Sequence, residues 1–410
     1  MRKILLLWLP LALAGCKIQI DNPETGAVIS QNYGCAAASS CTIEVGGVDF
    51  DETFVAVPES GFAFIGWKRQ SRGLCGGSDS YCQLVTNGFL GIEALLSILD
   101  SDEVFYLTPE FAPLADAEAV DITDAILVET SGDCALYAQL YSSSVLDVQR
   151  SQLFAGDVSI VAGLDRCTLS SNSIPNHNFN DDSARFATNV SEVGQDFELP
   201  RLPTLAAEPT ALSQIYYNAV MLNGVPLDLL SAGCYSPDDP RADADGNVAI
   251  GCELGRDDWM LDPLGTPGGF GVDAHNAHTQ PNGLYHYHGN PLALFDDNPG
   301  RNGSPVIGFA ADGFPVYGSY FYDNDSGQVR KAQSGYTLKS GTRPAGSADP
   351  GGNYDGMYID DWEFTNNGDL DVCNGMFVDN QYGYYVTDTY PWVMACFSGT
   401  ADPSFAKGGN

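Results

Sequence analysis

The chain has 410 residues, 44% hydrophobic and 11% aromatic, long enough for two or three domains with cores of their own. Its 53 acidic residues against 18 basic ones give a formal net charge of −35, which excludes general nucleic-acid binding and suits a solvated extracellular surface. Gly and Pro number 45 and 23, a composition of short strands, turns and long loops, so the fold class expected is mainly β.

Residues 1–16 read MRKILLLWLPLALAGC. Arg2 and Lys3 precede an apolar run too short to span a membrane and stay there, the pattern of a secretory signal. Leu13-Ala14-Gly15-Cys16 resembles a bacterial lipobox, which implies that Cys16 becomes the lipidated first residue and that the membrane is a partner through that lipid. Lys17 fits sorting to the outer membrane. The expected location is the bacterial cell envelope, lipid-anchored, at the outer membrane or cell surface.

Setting Cys16 aside leaves ten of the 11 cysteines, an even number in an oxidising compartment, which argues for disulfides. Connectivity is not deducible from order alone. Neighbours would pair as Cys35/Cys41, Cys75/Cys82, Cys134/Cys167, Cys234/Cys252 and Cys373/Cys396. No Cys-x-x-Cys occurs, so neither a zinc knuckle nor a thioredoxin-type site is indicated.

Residues 17–111 form the first expected module. Strand-like alternation covers 42–57 and 104–111, and 88–99 (GFLGIEALLSIL) reads as a short helix. The run Pro58-Glu-Ser-Gly-Phe-Ala-Phe-Ile-Gly-Trp67, its flanking cysteine pairs and the ending Tyr-Leu-Thr-Pro-Glu-Phe111 resemble a divergent internalin-type B-repeat. That resemblance implies a small β-grasp-like module serving as stalk or adhesion spacer, with a possible surface or envelope partner.

Residues 112–119 read as a connector, and 120–410 as a larger β-rich domain. Strands are expected at 125–129, 145–153, 157–161 and 214–220. Asp243, Asp245 and Asn247 approach a calcium-loop pattern, but Val248 holds the glycine position and Glu253 falls one residue short, so the segment reads as a solvated loop between Cys234 and Cys252. Asp312-Gly313 supplies a hairpin turn. Arg343 is expected to pair with Asp355 or Asp360, and Asp388 to cap a turn.

The densest signal lies at 273–291, DAHNAHTQPNGLYHYHGNP, which holds four of the five histidines: His275, His278, His286 and His288. Alternation in a strand puts His286 and His288 on one face and Tyr285 and Tyr287 on the other. His275 and His278, three apart, read as one side of a helical turn or tight loop. Gln280-Pro-Asn-Gly283 has the chemistry of a reverse turn that folds the first pair onto the second. The expectation is that all four converge on a metal ion, with His177 as a fifth ligand; hydrogen-bonded structural histidines are the alternative.

Tyr285-His-Tyr-His288 resembles the signature of the YHYH-domain family of secreted bacterial proteins. Further matches are Ile174-Pro-Asn-His177, the run from Ile307 to Gly318, Lys339-Ser-Gly-Thr-Arg-Pro344, Asn353-Tyr-Asp-Gly356, Asp369-Leu-Asp-Val-Cys-Asn-Gly375 and Tyr385-Val-Thr-Asp-Thr-Tyr-Pro-Trp392. The resemblance implies a secreted, metal-associated, disulfide-stapled β-rich domain. An imidazole site with every other thiol in a disulfide suits copper(II) or zinc. Four or five imidazoles flanked by tyrosines favour copper, for metal binding or redox chemistry. Three with an open position favour a zinc-dependent hydrolase of envelope polymers or peptides, with Asp312 or Asp371 as base. An adhesion or structural protein without catalysis is the third reading. No His-Glu-x-x-His, Gly-x-Ser-x-Gly or phosphate-cradling glycine-lysine loop occurs.

Overall fold

A computed structural model describes residues 15–265 and 270–408, apart from Ser78 and Ser80; the signal segment expected at the N-terminus otherwise lies outside the described residues. The chain divides into two compact units, Met1–Ala117 and Glu118–Asn410. It is mainly β.

In the first unit Cys16–Asp21 lies between Ser40–Val45, antiparallel to it, and Val104–Leu107, parallel to it. Its alternating burial turns Cys16, Ile18 and Ile20 inward, as a strand with one covered face requires. A second sheet runs Gly34–Cys35, Gly26–Ile29, Asp51–Pro58, Tyr81–Val85. Phe62–Trp67 pairs with Pro109–Pro113. The helix Glu93–Leu99 buries Leu99, and the core gathers Ile20, Val28, Phe54, Trp67, Leu99 and Leu107. The strand-like stretches 42–57 and 104–111 each hold two strands. Gly46 and Gly47 break the first, and Pro109 opens a new strand in the second that pairs with a different partner.

The second unit holds two larger sheets. One is five-stranded, in the order Val120–Asp121, Leu140–Asp147, Gln152–Ala162, Arg166–Ser171, Gln195–Pro200. Residues 125–129 are not a strand, and the strand expected at 145–153 spans the hairpin turn between Leu140–Asp147 and Gln152–Ala162. Polar positions Asp147, Gln149, Arg150 and Ser151 account for that turn, with Ser151 in the left-handed region and Arg150 N–H donating to Asp147 Oδ1.

The other sheet positions the site. Its strands in chain order are β1 (Ala219–Met221), β2 (Pro226–Leu227), β3 (Ala277–Thr279), β4 (Tyr285–Tyr287), β5 (Val306–Ala310), β6 (Pro315–Tyr317), β7 (Gly375–Val378) and β8 (Gln381–Tyr385). Their spatial order is β3-β4-β2-β1-β5-β6-β8-β7. Most residues of β1, β2, β4, β5 and β6 are fully buried, so both faces of the sheet centre are covered. The 3-10 turn Cys134–Tyr137 covers part of it, Tyr137 meeting Phe309 edge-on, and Phe197 of the five-stranded sheet packs on Phe405 and on Tyr217, just ahead of β1. The expected strand at 214–220 is only Ala219–Met221. Asp312-Gly313 does turn β5 into β6, with Gly313 at φ +87°.

Five disulfides join Cys35–Cys41, Cys75–Cys82, Cys134–Cys167, Cys234–Cys252 and Cys373–Cys396. Cys16 is the free cysteine among the described residues, buried with its Sγ 3.7 Å from the Val45 carbonyl oxygen. Burial pushes its thiol pKa up. Arg343 pairs with Asp355 and, through Nε at 2.7 Å, with Asp361 rather than Asp360. Asp388 pairs with Lys331.

Candidate metal centre

The hairpin β3–β4 builds the centre. Gln280 to Leu284 close its turn, with Gly283 at φ +88° and its amide donating to the Gln280 carbonyl at 2.9 Å. The resulting register sets His278 directly opposite His286. Cross-strand partners share a face, and so does a residue two further along. His278, His286 and His288 therefore meet: Nε2 of His288 lies 3.1 Å from that of His286 and 2.9 Å from that of His278. Among the described residues these three form the one all-histidine group whose ligand atoms gather within 4.8 Å.

Carbonyl groups fix two of the tautomers. Nδ1–H of His278 donates to the Phe270 carbonyl at 2.6 Å, and Nδ1–H of His286 donates to that of Leu284 at 3.4 Å. Both Nε2 atoms then carry lone pairs directed at the common point, the arrangement in which a backbone acceptor orients an imidazole for a metal. At most one proton, on His288 Nε2, can lie between the three. A cation at the centre could engage all three lone pairs. Bonds of about 2.05 Å in tetrahedral array place nitrogens about 3.3 Å apart, within a few tenths of an ångström of what is seen. Burial drives the pKa of His286 and His288 well below the ordinary value, the charge of His278 adding to both and that of His286 to His288, and burial lowers His278 too. All three are neutral near pH 7, the ligating form.

The centre opens into a cavity of about 630 Å³ lined also by Arg185, Gln214, Asp228, Phe270, Gln280 and Lys407. Asp228 follows β2, which runs parallel to β4, and its amide donates to the Tyr287 carbonyl. Its Oδ2 accepts from Lys407 Nζ at 2.6 Å and Gln280 Nε2 at 3.2 Å. Burial raises the Asp228 pKa, against the pull of Lys407. The C-terminal tail delivers that lysine: Phe405 is buried, and Lys407 N–H donates to the Ile215 carbonyl.

His177 and His275 do not join the three, which corrects the expected convergence of four or five imidazoles. His275 sits in a turn, not a helical pair with His278: Asp273 accepts the His275 amide at 2.9 Å, and Asn276 takes the left-handed conformation at φ +60°. Its ring packs against that of His177 at a tilt of 45°, centroids 3.9 Å apart. His177 Nδ1–H donates to the Asn178 carbonyl, so its Nε2 accepts the Tyr287 hydroxyl at 2.6 Å. Tyr287 also accepts from Asn223 Nδ2, and Tyr285 donates to Asp273. The pleat decides the split, because His177 and His275 lie with the tyrosines on the opposite face of β4 from His286.

Neither carboxylate expected as a base lines the cavity. Asp312, buried, accepts from the Tyr384 hydroxyl at 2.6 Å and the Gly399 amide at 2.9 Å. Asp371 accepts from the Cys373 and Gly375 amides and the Tyr382 hydroxyl. Two further groups of potential ligands each contain a cysteine pair already closed as a disulfide, so they offer no thiolate. Asp228, Arg185 and Lys407 carried no local pattern; they reach the centre through pairings distant in sequence.

The geometry is that of a β-rich, disulfide-bonded domain with three imidazoles lining a cavity. Residues 196–399 match the family model described as YHYH protein; this part of the chain is a YHYH domain. No curated protein and no solved structure matches the chain. The domain and the five disulfides are those of an extracellular or envelope protein. Among the described residues, no helix is long and apolar enough to cross a membrane.

Proposed function

We propose that His278, His286 and His288 hold a transition-metal ion, copper ahead of zinc, and that the protein is a cell-envelope lipoprotein using this centre for metal binding or metal-dependent redox chemistry. The carrying observation is the convergence of three Nε2 atoms, two fixed as lone-pair donors by carbonyls behind them. The tyrosines facing away remove one argument for copper. The affinity order of divalent metals for a nitrogen site keeps it ahead of zinc where both are present. When bound, such an ion supplies Lewis acidity or a one-electron couple facing the cavity. The chain's own part is to orient the imidazoles, exclude bulk water and present Asp228 and Lys407 beside them.

The second reading, a zinc-dependent hydrolase of envelope polymers or peptides, is favoured by the count of three imidazoles with an open cavity. It lacks the bases expected for it, since Asp312 and Asp371 are bound up elsewhere. Anchoring through Cys16 is supported by the lipobox, while the burial of its Sγ weighs against it. Titration of chelator-treated protein with Cu(II) and Zn(II) in competition tests the centre. One equivalent of copper with a multi-nitrogen electron-paramagnetic signal, lost in His278→Ala, is expected. Saturation by zinc with copper excluded would select the second reading, and no uptake of either would remove both.

A further inference from the structure

We propose that the cavity above the three histidines takes a small amino- or hydroxy-carboxylate, its N–H or O–H donor meeting Oδ1 of Asp228 and its carboxylate meeting Arg185. This deepens the metal-centre reading and rests on it for location; the two contacts themselves need no metal.

Asp228 is 4% exposed, and while its Oδ2 takes both Lys407 and Gln280, its Oδ1 is buried with no hydrogen-bond partner. A buried carboxylate oxygen without a donor is rare, and Asp228 is a residue of the cavity wall, where a bound molecule can bring the missing donor. Arg185 is exposed at the same cavity. Its guanidinium donates to the carbonyls of Asp182 and Ala184, and among the described residues no carboxylate pairs with it, although acidic residues outnumber basic ones 53 to 18. A guanidinium fork is the group that reads a carboxylate in two-pronged fashion. Leu230, Ile250 and Phe270 give the cavity apolar wall between these polar points, and its volume suits a small organic ligand.

The test uses the full chain, in chelator-treated and copper-loaded samples, with L-leucine and 2-hydroxyisocaproate as probes. Isocaproate lacks the donor and leucinamide lacks the carboxylate. Calorimetry should show one probe molecule per chain in both samples, with both controls at least tenfold weaker. Arg185→Gln, on an exposed side chain, should abolish the preference over leucinamide, and Asp228→Asn, checked for folding by near-ultraviolet circular dichroism, should abolish the preference over isocaproate. Equal binding of probes and controls, no binding of either probe, or wild-type discrimination in Arg185→Gln would overturn the proposal. Metal content measured on the same samples separates the two ideas. Probe binding without metal uptake sinks the metal centre alone; metal uptake without probe binding sinks the carboxylate site alone.

Discussion

Tyr287 and His288 are neighbours whose side chains serve opposite faces of one strand. The imidazole joins the three-nitrogen cluster, while the phenol is clamped between His177 Nε2 and Asn223 Nδ2. Tyr287→Phe should therefore leave His177 and Asn223 short of a partner and lower stability by about 1–3 kcal/mol in urea unfolding, with metal stoichiometry unchanged; unchanged stability would show the network idle. His177 also sets a pH dependence. Burial, reinforced by the charge of His275, lowers its pKa from 6.5 to about 3. Below pH 6.5 the unfolded chain takes up a proton that the folded one refuses, so stability is full above pH 6.5 and falls as pH drops towards 3, by up to about 1.4 kcal/mol per unit from this group. Urea midpoints at pH 7, 6 and 5 should fall in wild type and fall less steeply in His177→Gln. Parallel slopes would contradict the assignment.

At the scale of the element, the hairpin β3–β4 was the most legible part of the chain. Strand alternation and the Gln280–Gly283 turn together place His278 opposite His286 and beside His288. What local pattern could not show was His275, because a spacing of three implies a shared face only if both residues lie in one helical turn. Asp273 instead caps a turn around His275, and Asn276 accepts a left-handed backbone there. Nor could it show Asp228, Arg185 or Lys407, since the parallel pairing of β2 with β4 and the docking of the C-terminal tail are long-range events. The strands expected at 125–129 and 145–153 failed for different reasons: the first is a loop held by long-range bonds from Asn176 and Val306, and the second crosses a turn that its own Asp147–Ser151 segment signals. Gly283 is the hinge of the hairpin. A Cβ there would lie 2.5 Å from Ser191 Oγ and 2.8 Å from the Asn189 carbonyl oxygen, at φ +88°. Gly283→Ala should cost about 1–3 kcal/mol and weaken metal affinity by disturbing the register. Unaltered affinity and stability would mean that the turn does not set the centre.

For the whole molecule, the match to the YHYH family model ends at residue 399 and begins at 196, whereas the compact unit runs from Glu118 to Asn410. His177, Arg185, Phe405 and Lys407 all fall outside the match and all serve the centre or its support. Phe405 is fully buried against Phe197, centroids 4.7 Å apart. Phe405→Ala should destabilise the protein by about 3–5 kcal/mol and withdraw Lys407 from Asp228; denaturant unfolding near the wild-type midpoint would show the tail to be dispensable. The mainly β class and export into an oxidising compartment followed from composition and cysteine count, and the disulfides of the structure join neighbours in sequence.

The most direct measurement is the metal content of protein purified from the cell envelope, by mass spectrometry, set against a His286→Ala/His288→Ala double variant. One equivalent of copper or zinc per chain, lost in the variant, is the predicted result. Equal metal in both proteins, or none in either after reconstitution, would contradict the metal centre and leave the three imidazoles as structural groups.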